Sequence, residues 1–290
     1  MFTKRATESM TTLSPSGHVV HKSFGQLTYL ERMADSGRIS MFFHGLGLDA
    51  TDYQEYLETH ESHGIAVSLA GYAPGGTERL PPVPAGRHVE MVADLVAAVG
   101  RENPGKQVDL IGFSLGADLV LQLAEWWTAD PRRTHPRISG ALLLDPNVNH
   151  STMTISRIFA SADRRDPTSA LKELVGLARN RDVLVSLCGY VAKVSAKDFS
   201  QVHSLANDMI HYWNPVGYDQ FGTRIARVAD IANVVSIALS ADYGEHLEGM
   251  RDAVRRKTSR SGDVLFNITD LDHFGLIENG FLARELKSIS

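Results

Sequence analysis

Residues 107–127 read QVDLIGFSLGADLVLQLAEWW, and this stretch decides the fold. Its first part is the apolar run of a buried strand; its second part carries apolar residues at helical spacing. Only Gly112-Phe113-Ser114-Leu115-Gly116 separates the two, so the chain turns from strand to helix on a serine with a glycine two residues to either side. The pattern is G-x-S-x-G, the nucleophile elbow. A nucleophile that stands clear of a sheet needs a tight corner, and glycines at these positions remove the Cβ atoms that would crowd it. The helix beginning at Leu115 aims free N–H groups and its positive dipole end at the same corner, which favours a developing oxyanion.

Outward from the elbow, strand and helix patterns alternate. Upstream, residues 18–23 and 26–31 read as an antiparallel pair around Phe24-Gly25, and Arg38–Phe43 (RISMFF) as a buried strand ending at His44-Gly45-Leu46-Gly47. Residues 53–59 look helical, 64–69 (GIAVSL) form the next strand, 71–84 are a loop by composition, and 89–99 a helix. Downstream, Ile138–Leu144 (ISGALLL) is another continuous apolar strand. Such runs alternating with helices indicate a mostly parallel sheet covered on both faces.

The alternation stops after about Asn147 and resumes with 233–239 (NVVSIAL), a helix over 245–256, a strand over 263–268 (DVLFNI) and a helix over 280–289. Between lie only helical patches, 169–179, 182–194 and 198–213. Residues 18–146 and 228–290 therefore make one α/β core, 147–227 a helical insertion, and 1–17 an N-terminal tail. The insertion is expected over the carboxyl ends of the strands, where open α/β sheets bind ligands.

Composition narrows the function. The 290 residues are 43% hydrophobic with a formal net charge of −5, which gives no basic footprint for nucleic acid. No apolar run approaches the roughly 18 residues of a membrane span, and the N-terminus carries no apolar signal region. A cytoplasmic setting is expected. Cys188 is the only cysteine, which excludes an internal disulfide and a cysteine-based metal cluster. No metal site and no cofactor are expected: there is no convincing G-x-G-x-x-G opening a Rossmann unit and no ligand cluster. The oligomeric state is not legible.

The elbow, the His44–Gly47 loop after the third strand and Asp272-His273-Phe274 near the C-terminus together resemble the α/β-hydrolase superfamily, with a helical cap inserted after the sixth strand. The resemblance spans nearly everything from His18 to Ile289. It implies an α/β-hydrolase fold, a mostly parallel central sheet flanked by helices, and a nucleophile–acid–histidine order along the chain. It makes Ser114 the nucleophile and His273, in the short polar loop after the last strand, the base. For the acid it favours Asp242, which follows the seventh strand in LSADYGEHL; Asp145, after the sixth strand in LLLDPNVN, is the rival. Asp145 precedes proline, which biases it towards an extended backbone suited to a chain leaving the sheet.

The same resemblance assigns the oxyanion donors to the backbone N–H groups of Leu115 and Leu46, with His44 shaping the loop between. That loop has one glycine fewer than the HGGG form of one lipase branch. Epoxide hydrolases and haloalkane dehalogenases of this fold use an aspartate nucleophile, so a serine points instead to attack on a carbonyl. Phe159, Leu187, Tyr190, Met209, Tyr212 and Trp213 of the insertion are candidates for an apolar lining, with His44 and Phe113 beside them; packing between insertion and sheet is the other reading of each. The expected activity is hydrolysis of an ester, thioester or lactone of a small to medium apolar acyl substrate. A non-hydrolytic acyltransferase or lyase, or a non-catalytic ligand receptor, remains open on fold alone.

Overall fold

The computed structural model describes residues 17–72 and 81–289. Most of the expected N-terminal tail, and residues 73–80 of the loop expected over 71–84, lie outside them. The strands are β1 (Val19–Phe24), β2 (Leu27–Arg32), β3 (Arg38–Phe43), β4 (His63–Ser68), β5 (Gln107–Phe113), β6 (Ile138–Leu144), β7 (Ala232–Leu239) and β8 (Val264–Ile268). The helices are α1 (Gln54–Thr59), α2 (Ala85–Glu102), α3 (Leu115–Ala129), α4 (Thr154–Ser161), α5 (Thr168–Val175), α6 (Arg181–Ser195), α7 (Phe199–Tyr212), α8 (Asp219–Ile231), α9 (Leu247–Lys257) and α10 (Asn279–Glu285).

One eight-stranded sheet runs in the order β1-β2-β4-β3-β5-β6-β7-β8. β2 is antiparallel to β1 and β4, and every pairing from β4 onward is parallel. Every residue of β4 and β6 is buried, as is all of β5 beyond Gln107, so the central strands are covered on both faces and tolerate no polar alternation. This is the α/β-hydrolase fold. Parallel strands put β3, β5, β6, β7 and β8 in register with their carboxyl ends at one edge, where the loops that follow them meet.

The insertion differs from expectation at its far boundary. Helices α4 to α7 lie between β6 and β7, but α8 packs on α3 and α9 and runs directly into β7. The boundary expected at 227 falls inside α8, which is a sheet-flanking helix. Its contact with α9 is close: a Cβ on Gly222 would come 2.5 Å from the Ala253 carbonyl oxygen. Among the described residues, no helix is long and apolar enough to cross a membrane.

Candidate active site

Ser114 follows the last residue of β5 and keeps the sheet pairing for one more step, its N–H donating to Leu144 O at 2.8 Å. Its backbone then turns through φ 51°, ψ −114°, a conformation that a non-glycine residue adopts only under constraint. The glycines do what the motif requires. A Cβ on Gly112 would sit 2.6 Å from Ala117 Cα, and one on Gly116 would fall 2.5 Å from the Phe43 carbonyl carbon. The first turn of α3 thus lies against the end of β3, and Gly45 in turn abuts the Phe113 ring. Elbow and His44–Gly47 loop are in contact.

Asp145 occupies the corresponding place after β6, its N–H donating to Ala238 O at 2.9 Å. It is 1% exposed. One carboxylate oxygen, Oδ1, accepts the Ser240 N–H at 2.7 Å; the other, Oδ2, accepts from His273 Nδ1 at 2.7 Å. A carboxylate is an acceptor, so Nδ1 carries the proton and Nε2 is left with a free lone pair. The His273 ring is held from its other side by Phe113, 4.6 Å between ring centroids. No hydrogen bond joins the Ser114 hydroxyl to that ring among the described residues; such bonds commonly tighten when substrate binds.

The expected placement of Asp242 against His273 is therefore corrected. Asp242 sits in a 3-10 turn after β7 and pairs with Arg179 at 2.8 Å, its side chain 54% exposed. The reason is topological. The loop that carries His273 crosses the end of β7 where Ser240 and Ala241 are small, pinned by the Ala241 N–H to Leu271 O bond at 3.1 Å, and so reaches Asp145 on β6. Nor is Asp145 extended: its φ is 44°. Aspartate enters the left-handed region at lower cost than most side chains, and two hydrogen bonds hold it there.

His44 is fully buried. Its Nε2 accepts the Leu69 N–H at 3.1 Å and its Nδ1 donates to Gly45 O at 2.8 Å. Burial lowers its pKa to about 4, so the ring is neutral in the tautomer those two bonds require. Leu46 and Leu115 are both buried; any part they play is through their backbone N–H groups, and Leu115, first in α3, has no acceptor within the helix.

Ser114, Asp145 and His273 line one cavity of about 1030 Å³ beneath the inserted helices. Its wall differs from the expected lining except at Leu187. Ile155, Leu187, Leu271 and Phe274 supply apolar surface, but Ser151, Thr152, Thr154 and Ser156 face it too. Asp182, Asp242, Glu245, Asp270, Asp272 and Glu278 give the cavity a strongly acidic character, against the single guanidinium of Arg179. The Ser/Thr run in NHSTMTIS, directly after β6, was the legible signal for that polar wall. His246 also reaches the cavity, whereas His150 Nε2 is tied to the carbonyls of Ile210 and Trp213.

Phe159, Met209 and Trp213 do not line this cavity; Phe113 borders it through its ring contacts with His273 and Phe274. Phe159 packs tilted against Tyr190 and edge-on to Phe199, Met209 Sδ lies 3.8 Å from Gln122 Nε2 of α3, and Trp213 packs on Phe221 under the Arg224 guanidinium. Phe159 packs the inserted helices on one another, while Met209 and Trp213 join the insertion to α3 and α8. Trp213→Ala and Met209→Ala should each cost about 2–5 kcal/mol of stability, read as a lower urea midpoint, with little change in substrate preference. A change of chain-length preference at normal stability would return them to the substrate wall.

The family model described as Alpha/beta hydrolase family matches residues 41–285. No curated protein matches the chain. Among solved structures, a thermophilic esterase from Thermogutta terrifontis is 16% identical, with 94% of this chain and 99% of that one covered at a TM-score of 0.62. MenH from S. aureus is 12% identical, covering 92% and 99% at a TM-score of 0.61. The N-acyl homoserine lactonase AidH is 12% identical, covering 94% and 97% at a TM-score of 0.58. At such identities these neighbours speak to the fold alone.

Proposed function

We propose that this chain, which belongs to the α/β-hydrolase family, is a serine hydrolase that cleaves an ester, thioester or lactone through an acyl-enzyme on Ser114. The observation that carries the reading is the hydrogen bond from His273 to the buried Asp145 beside a strained serine elbow. His273 Nε2 takes the proton of Ser114 as Oγ adds to the substrate carbonyl carbon, and Asp145 fixes the tautomer and stabilises the imidazolium. The carbonyl electrons collect on the former carbonyl oxygen, facing the N–H groups of Leu115 and Leu46. As the carbonyl re-forms, the leaving group departs with the proton from His273. Water repeats the sequence in reverse to release the acid.

The cavity wall narrows the substrate. Its mixed lining suits a molecule with polar as well as apolar parts rather than a purely aliphatic chain, and its acidic groups repel anions. At low ionic strength, kcat/KM for p-nitrophenyl butyrate should exceed that for the monoanionic p-nitrophenyl hydrogen succinate by about tenfold or more, the gap closing in salt. Equal rates, or a preference for the anion, would remove electrostatics from specificity.

Incubation with p-nitrophenyl esters of graded chain length and with a fluorophosphonate probe tests the activity itself. Turnover with labelling supports hydrolysis. Labelling without turnover points to acyl transfer or lyase chemistry on the same serine, and the absence of both labelling and turnover defeats any use of an activated serine.

A further inference from the structure

The inserted helix α6 touches the loop that carries the Leu46 N–H. Tyr190 Oη donates to Leu46 O at 2.7 Å. Three residues on, about one turn along α6, Lys193 pairs with Asp52, and just past the helix end Lys197 pairs with Asp49, so two carboxylates of the segment after the loop are tied to α6 and the residues that follow it. From these contacts we infer that Tyr190 is a positioning residue for the oxyanion donor of Leu46. The inference rests on the serine hydrolase reading.

The two peptide planes that flank Leu46 explain why. The plane before it carries the Leu46 N–H, and its Gly45 oxygen accepts from His44 Nδ1 at 2.8 Å and from the Leu48 N–H at 3.1 Å. Among the described residues there is no cis peptide, and in a trans peptide the N–H points opposite to the C=O. His44 therefore sets the direction of the donor from the sheet side. The plane after Leu46 is held on its carbonyl side by Tyr190, while its Gly47 N–H faces the buried Tyr72 phenol. It leads into Gly47 at φ 79°, a residue with no side chain to resist rotation. Without the Tyr190 phenol, the Leu46 carbonyl loses its side-chain partner, and the turn that carries the donor is held less firmly. With it, both planes are fixed and the N–H is held where charge develops, at no reorganisation cost in the reaction.

Tyr190 is itself well held. Its ring lies 4.9 Å from that of Phe274, the neighbour of His273. Burial raises the phenol well above its ordinary pKa range, so it stays a donor. The packing at Gly47 is tight as well: a Cβ there would lie 3.2 Å from Tyr190 Oη and closer still to Val194 Cγ2. The bond thus makes the inserted helices part of the oxyanion apparatus and not only a cover for the cavity.

The test compares wild type with Tyr190→Phe, which keeps the ring and deletes the hydroxyl. The measurements are kcat, KM and pH profile on p-nitrophenyl butyrate, the melting midpoint, and inhibition by an aryl trifluoromethyl ketone. That ketone accepts Ser114 Oγ at its carbonyl carbon while the serine proton passes to His273, leaving an oxyanion in the same place as the intermediate. Loss of the hydroxyl should lower kcat by about 10- to 100-fold, part of what a whole oxyanion donor contributes. KM should stay within about twofold and the pH profile should not move, because binding and base are untouched. The ketone's Ki should rise by the same factor as kcat/KM falls. Gly47→Ala, whose Cβ would crowd Val194 and Tyr190 Oη and so push the loop away from α6 while keeping the Tyr190 side chain, should reproduce this signature and serves if Tyr190→Phe does not fold. Wild-type kcat in Tyr190→Phe, or a loss confined to KM, overturns the inference while leaving the hydrolase intact. A wild-type protein that neither turns over ester nor binds the ketone defeats the hydrolase reading and this inference with it.

Discussion

Ser114→Ala is expected to lower kcat by about 10⁴- to 10⁶-fold while leaving the protein folded. The hydroxyl is the group that forms the acyl bond, and no neighbouring side chain at the elbow replaces it: Phe113 and Leu115 are buried apolar residues. The fold should survive because what holds the corner is backbone. The Ser114 N–H bonds Leu144 O, and its carbonyl accepts from Ala117 at 2.9 Å and Asp118 at 3.1 Å. Residual activity would come from the oxyanion donors and substrate binding. Steady-state kinetics with a circular dichroism check of folding measure this. An alanine variant with near-normal kcat would move the chemistry to another residue.

Asp145→Asn should cost about 10⁴-fold in kcat, whereas Asp242→Asn should change it by less than about twofold. Both residues stand just past central strands, but only Asp145 touches the His273 ring. An amide at 145 can offer its N–H₂ to Nδ1, which reverses the tautomer and puts the proton on Nε2, where it blocks attack. The Asp242–Arg179 pair is half-exposed and is worth at most about 1 kcal/mol of stability. The opposite ranking of the two variants would return the acid to β7.

These two carboxylates also mark where the sequence stops being informative. The elbow, β3 and β6 are legible because their signals are local in sequence: continuous apolar runs at strand length, and a serine framed by two glycines in one five-residue motif. The choice between Asp145 and Asp242 is not local. It depends on where the loop after β8 crosses the sheet edge, and proline's bias on Asp145 was outweighed by the hydrogen bonds that trap it at positive φ. Helix α8 escaped notice for a similar reason. DQFGTRIARVADI contains Gly222 and Thr223, poor helix formers, and Gly222 is there to let α9 approach. The aromatic and methionine residues of the insertion were recognisable as buried; which side of the inserted helices they faced was not. Tyr190 was readable as packing, but its hydroxyl's partner lies 144 residues away in the chain.

The central claim is that acyl transfer passes through Ser114. The direct measurement is rapid acid quench of the protein during turnover of p-nitrophenyl butyrate, with peptide mass spectrometry of the quenched chain. The account predicts a butyryl group on the peptide containing Ser114, formed with a burst of p-nitrophenol that approaches one equivalent, and absent in Ser114→Ala. Steady hydrolysis with no acyl group on Ser114, or an acyl group on a different residue at the burst, would contradict it.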